Sequence, residues 1–183
     1  MEKIKCRCRW CNMNNPAYVK YHDEEWGVLK TDEHYLFEML ILESFEAGLS
    51  WECILNKREA FRRAFEGFDP DKVMNFNEEK QEELLQDRGI VRNRLKIRAS
   101  VKNAAVFKDI QREYGSFDSY LKKYCGTEPV YETGKTVNAA SDAIAADLKR
   151  RGMKFCGSTT VYAYLQAVGR INSHERGCFK YGK

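Results

Sequence analysis

"LLQDRGIVRNRLKIRA", residues 84–99, holds the strongest architectural signal in the chain. Leu84 and Leu85 close an amphipathic run that opens at "NEEKQEE", and a short stretch around Asp87 and Gly89 interrupts it. A second run covers residues 93–114, with Ile97, Val101, Ala104 and Ala105 at helical spacing and Gly115 as its stop. Two helices joined by a glycine-containing turn are expected, the second opening on Arg92, Arg94, Lys96 and Arg98.

Helix signals continue outward from this hairpin. Asp32 can cap a helix with Leu36, Phe37, Leu40 and Ile41 on one face. Ser50 can cap the next, with Trp51, Ile54, Leu55, Phe61 and Phe65 inward and Gly67 as its stop. In "FDPDKV", Asp69 is a cap and Pro70 takes the first helical position. Ser116 opens a short helix through Tyr124, and residues 125–140 read as a loop. Ser141 and Ser158 start two further helices that stop at Gly152 and Gly169. Alternation of β-branched residues is not repeated anywhere, and three prolines suit a helical chain. The expected class is all-α.

A chain of 183 residues, 43% hydrophobic, can bury one sizeable core or two lobes around a cleft. The 31 basic and 27 acidic residues leave a net charge of +4, which permits a local basic face but does not announce a nucleic-acid partner. No apolar run reaches the ~18 residues of a membrane span. "MEKIKCRCRW" lacks the apolar core of a signal peptide, and seven cysteines fit a disulfide framework poorly. A cytoplasmic protein with no membrane partner is expected, with some thiols serving a metal.

His174 and Cys178 in "HERGC" have the spacing of a zinc half-site. The other half is sought near the N-terminus. "CRCRWC" offers Cys6, Cys8 and Cys11, and "YHDEEW" offers His22. Cys8 with Cys11, or one cysteine with His22, would each complete four ligands. Four protein ligands leave no open position, so such a metal is structural and staples the two ends of the chain.

Glu43 follows Leu40, Ile41 and Leu42 directly and precedes Ala47 by one turn. A solvated helix end accommodates it. An inward carboxylate, by contrast, has a raised pKa or needs partners, and such groups concentrate at functional sites. Phe45, Trp51, Tyr18, Tyr21 and Trp26 lie close in sequence. Aromatic faces with one acid suit a flat, positively charged ligand. At the hairpin, the start of the second helix offers free amides and a positive dipole end to phosphate, and the turn resembles a helix-hairpin-helix, which grips a DNA backbone without reading sequence.

The segments "CRW", "YHDEEWG", "LFEMLILESFEAGLSW", "KREAFRRAF", "FDPDKV", "GIVRNRLKI", "SDAIAADLKRRGMKFCGSTTVYAYLQAVG" and "HERGC" together resemble the constitutive bacterial type I family of DNA-3-methyladenine glycosylases. The resemblance spans nearly the whole chain. It implies an all-helical helix-hairpin-helix glycosylase fold, one domain over residues 1–183, with two lobes around a base-binding cleft. It implies one structural Zn2+ on Cys8, His22, His174 and Cys178. It places the base-recognising acid at Glu43 and the stacking and lining aromatics at Trp51 and Tyr21, with Trp10 and Tyr18 nearby. Gly48 and Leu49 would press towards the gap left by an extruded nucleotide, and Gly89, Val91, Arg92, Arg94 and Lys96 would meet the DNA backbone. The family often carries an amide where this chain has Glu46.

The implied reaction is hydrolysis of the N-glycosidic bond of 3-methyladenine in double-stranded DNA, by a monofunctional and monomeric enzyme. A range extending to 3-methylguanine is the neighbouring activity. The competing class is a non-catalytic, zinc-stapled helical nucleic-acid-binding module, which accounts for hairpin and metal but not for an acid among aromatics.

Overall fold

A computed structural model describes residues 5–183; the part of the N-terminal expectation that falls on residues 1–4 lies outside the described residues. The first helix, α1 (Pro16–Glu24), was not anticipated from apolar spacing. It is set by local chemistry: Asn15 Oδ1 accepts from the amides of Ala17 and Tyr18, and Pro16 takes the first helical position. Its second turn carries Tyr21 and His22, both buried.

Asp32 caps α2 (Glu33–Glu46) as expected. Every residue from Leu36 to Phe45 is buried, so α2 is a central helix rather than a surface one. Central placement forces two acids, Glu38 and Glu43, out of water. Ser50 caps α3 (Trp51–Asn56), but the expected single helix to Gly67 is broken. Lys57 ends α3, and α4 (Arg58–Ala64) restarts at once. A 3-10 turn over Glu66–Phe68 follows, with Gly67 at φ +68°. Asp69 and Pro70 start α5 (Pro70–Val73) as their types predict.

The hairpin is formed by α6 (Glu78–Gln86) and α7 (Arg94–Tyr114), which pack on each other. Asn93 caps α7 through its contact with the Lys96 amide, and Gly115 ends it in the left-handed conformation. Ile97 and Ala104 are buried, while Val101 and Ala105 are only half-buried. Ser116 caps α8 (Phe117–Cys125).

Residues 125–140 are not wholly irregular. β1 (Val130–Tyr131) pairs in parallel with a distant partner, Val130 opposite Ile171 and Tyr131 opposite Asn172. A two-residue pairing leaves no periodicity for a sequence to display. The next helix, α9 (Ala139–Arg150), is capped by Asn138, not Ser141. Ser141 instead sits at the third helical position and returns a bond to the Asn138 amide, closing a capping box. Then α10 (Ser158–Ala167) leads through Gly169, at φ +73°, into β2 (Ile171–Asn172). One continuous apolar cluster runs from α2 through α7 and α8 to α10. Among the described residues, no helix is long and apolar enough to cross a membrane.

Candidate functional site

Cys8, His22, His174 and Cys178 meet although they come from the two ends of the described chain. All four are buried, and their ligand atoms lie within 4.8 Å of one another. Cys8 Sγ is 3.4 Å from His174 Nδ1, and Cys178 Sγ is 3.5 Å from His22 Nε2 and 3.6 Å from His174 Nδ1. A tetrahedron with Zn–S of about 2.3 Å and Zn–N of about 2.0–2.1 Å has S···N edges of about 3.6 Å. The spacing therefore fits a metal ion at the centre.

The outer contacts fit as well. His22 Nδ1 lies 2.8 Å from Asp23 Oδ1, and Arg7 donates to the same carboxylate at 2.8 and 2.6 Å. Burial works against charge on Asp23, but the bonds from Arg7 and His22 outweigh it and hold its pKa at about 2. His174 Nε2 lies 3.1 Å from the Trp26 carbonyl. Each imidazole thus spends one nitrogen on an acceptor and turns the other, Nε2 of His22 and Nδ1 of His174, to the centre. The Glu175 amide donates to Cys8 Sγ and the Lys180 amide to Cys178 Sγ. Without a cation, burial pushes the Cys8 thiol up to about 12 and the His174 imidazole down to about 4. A divalent ion would displace the thiol protons and take two thiolates and two neutral imidazoles as its ligands. Cys11 is buried outside the cluster, and Cys6 is exposed.

Beside this cluster opens a cavity of about 320 Å³. Trp10, Tyr18, Tyr21, Trp26 and Trp51 line it with Glu43 and Glu46. The rings form two groups. Tyr21 and Trp51 have centroids 5.1 Å apart. Trp10 lies 5.4 Å from Tyr18 and 4.7 Å from Trp26. The Cys/His cluster supports the second group, since Trp10 packs on His22 and Trp26 on His174. Trp51 Nε1 is buried with no hydrogen-bond partner among the described residues.

The two buried acids of α2 differ in kind. Glu38 accepts from Arg58 Nε at 2.7 Å and from Arg62 at 2.8 and 3.1 Å. Glu43 is only 3% exposed, yet no hydrogen bond or ion pair reaches its carboxylate among the described residues. Burial pushes its pKa well above the ordinary carboxylate value, and nearby Glu46 adds to the shift. A buried carboxyl group that faces a cavity and has no protein partner is a candidate ligand-binding group.

The expected DNA-facing residues divide. Gly48, at φ +80°, and Leu49 are exposed at the turn after α2. Arg92 is exposed, and Arg94 is exposed but paired with Glu82 of α6. Gly89 is confined, because a side chain there would meet Ala60 and Asp87, and Val91 packs against the core. Lys96 departs from the expectation. It is buried, and its amine donates to the carbonyls of Phe45 at 2.7 Å and Ala47 at 2.6 Å, so it is turned inward. Helical phase explains this: Lys96 shares the buried face of α7 with Ile97, Ala99, Ser100 and Asn103.

Thr133, Gly134, Ala163, Gln166, Ser173 and Glu175 also line the cavity. Sequence reasoning passed over all six. They arrive from the segment after β1, from α10 and from the segment after β2, and the β1–β2 pairing sets the first beside the last.

The comparisons agree with this geometry. A family profile described as methyladenine glycosylase matches residues 10–181. DNA-3-methyladenine glycosylase 1 of Escherichia coli (strain K12) is 41% identical over 181 residues, 96% of each chain. The DNA-3-methyladenine glycosylase of Haemophilus influenzae is 34% identical, over 94% of this chain and 96% of its own. A crystal structure of 3-methyladenine DNA glycosylase I superposes with a TM-score of 0.92 at 41% identity, covering 96% of this chain and all of that one. A variant of 3-methyladenine DNA glycosylase I in complex with 3-methyladenine superposes with a TM-score of 0.91 at 34% identity, covering 97% and 98%. A helical scaffold around an aromatic cavity with a buried acid thus has a defined class. The chain belongs to the methyladenine glycosylase family, within its 3-methyladenine DNA glycosylase I group.

Proposed function

We propose that this chain removes 3-methyladenine from double-stranded DNA by hydrolysing its N-glycosidic bond. The observation that carries the assignment is the unpartnered Glu43 carboxylate facing an aromatic-lined cavity. The target nucleotide must leave the stack before a pocket can reach it. Methylation at N3 gives the base a positive charge, so its ring is drawn to aromatic faces and to an acid. Trp51 and Tyr21 stack on or line the base, with Trp10 and Tyr18 closing the far side. Glu43 accepts hydrogen bonds from the base edge, and contact with the cation restores its charged form.

The chemistry asks little of an acid catalyst, because the leaving group is already cationic. The C1′–N9 bond breaks through an oxocarbenium-like transition state, its electron pair neutralises the departing base, and water adds at C1′ and gives up one proton to solvent. No lysine nucleophile enters the scheme, so the strand is left uncleaved.

Zinc is the proposed ion on Cys8, His22, His174 and Cys178, with a structural role: it holds the two terminal segments behind Trp10 and Trp26. The α6–α7 unit acts as a helix-hairpin-helix grip on the DNA backbone through Arg92, Arg94 and the turn around Gly89. Gly48 and Leu49 press towards the vacated stack. One helical domain does this work, supported by the single apolar cluster. Seven cysteines with no disulfide among them suit a reducing, cytoplasmic setting.

Binding of free 3-methyladenine to Glu43→Ala and Glu43→Gln proteins tests the role of the acid. Both should bind more weakly than the parent, and unchanged affinity in both would remove Glu43 from base recognition.

A further inference from the structure

Lys96 occupies the third position of α7, at the mouth of the hairpin, yet only 5% of it is exposed. Its amide is fixed by the cap, donating to Asn93 Oδ1 at 3.1 Å. Its amine crosses to another helix and bonds the carbonyls of Phe45 and Ala47. These flank Glu46, whose own carbonyl accepts from the Leu49 amide. Three successive carbonyls at the end of α2 are therefore held, two of them by a side chain of the hairpin. A cation at this end also meets the negative pole of the α2 dipole. The Phe155 ring lies 5.8 Å from the amine on another side.

This clamp joins two parts of the proposed machinery. On one side stands the start of α7, which meets the DNA backbone. On the other stands the end of α2, which carries Glu43 one turn back, Glu46 in the cavity wall, and the Gly48–Leu49 turn. A compact ammonium can reach two carbonyls in divergent directions, whereas a planar guanidinium presents its donors as a fork. Burial lowers the Lys96 pKa, and the nearby Glu46 opposes part of that shift.

We propose that Lys96 is a positioning residue for base excision, a tie that sets the base-reading end of α2 against the DNA-gripping hairpin. The proposal rests on the glycosylase assignment above. It differs from the sequence expectation for the same residue, which had Lys96 touching phosphate.

The test uses Lys96→Met and Lys96→Arg proteins of full length, well below their melting midpoints. Free 3-methyladenine affinity, duplex affinity with its salt dependence, and single-turnover release from methylated DNA are measured at saturating enzyme. For Lys96→Met, base and duplex affinity should stay within about threefold, while release falls by about 100-fold, as for a misplaced reacting geometry. Arginine should not rescue the rate, because its fork does not fit the two carbonyls. A phosphate contact behaves otherwise: Lys96→Met would lose about one unit of salt slope, and Lys96→Arg would restore both affinity and rate. That pattern, or a parental release rate in Lys96→Met, overturns the proposal. If Lys96→Met does not fold, Lys96→Arg decides alone, since parental release would overturn the clamp and slow release with intact duplex affinity would support it. If the parent protein releases no 3-methyladenine, the glycosylase assignment fails instead.

Discussion

Cys8 Sγ lies 3.4 Å from His174 Nδ1 across 166 positions of sequence. That contact closes the chain on itself behind the aromatic wall of the cavity. With His22 and Cys178 it forms a donor set whose orientation is fixed by Asp23, Trp26 and two backbone amides.

Metal content follows from this geometry. The purified protein should carry one zinc ion, and Cys8→Ser should lose it, with a melting midpoint lower by roughly 10 °C at about 2–4 °C per kcal/mol. Cys6→Ser and Cys11→Ser should keep it. Elemental analysis decides, and full zinc in Cys8→Ser protein would move the ligand to another cysteine.

Glu43 gives a pH-dependent prediction. Its folded pKa is raised, chiefly by burial. As pH rises, the unfolded chain ionises first, near the free-glutamate value of about 4.3. Its contribution is therefore full below that value and is lost as pH climbs through the raised folded value. Glu43→Gln does not titrate. It should be more stable than the parent by roughly 1–3 kcal/mol at pH 7, and the advantage should vanish near pH 4. Equal denaturation midpoints at pH 7 would contradict the buried, unpartnered state.

Gly169 supports the cavity from behind. A side chain there would run into the backbone of Val28 and Leu29, and its φ of +73° disfavours one in any case. The same strand of chain is tied to α10, with the Gly27 amide on the Gln166 carbonyl and the Lys30 amide on the Val168 carbonyl, both at 3.0 Å. Gly169→Ala should cost about 3 kcal/mol, through overpacking and strain. It should also loosen Trp26, and thermal melting with tryptophan emission reports both.

Much of the fold was legible because helix ends are chosen by single residues. Asp32, Ser50, Asp69, Ser116 and Gly115 act as their types predict. Where two residues share the task, as Asn138 and Ser141 do, type alone picks the wrong one. The cavity was legible on its Glu43–Trp51 side, where neighbours in sequence are neighbours in space. Its opposite wall, with Thr133 and Ser173, depends on the two-residue β1–β2 pairing and leaves no local trace. For Lys96, charge points to the DNA side while helical phase points to the core, and phase decides. Three positions past the cap, it belongs with the buried face and not with Arg94 and Arg98.

The hairpin separates its basic residues by environment. Arg92→Ala should weaken duplex binding and lower the salt slope by about one. Arg94→Ala should do less, since its guanidinium is shared with Glu82. Equal effects at both positions would show that the Glu82 pair opens on DNA.

Base release is the most direct measurement. The protein is incubated with methylated duplex DNA, and freed bases are separated and identified while the strand is checked for breaks. Free 3-methyladenine with an intact, abasic strand is the predicted result, strongly reduced in Trp51→Ala protein. Retention of the DNA with no base released would contradict the assignment and leave a binding module in its place.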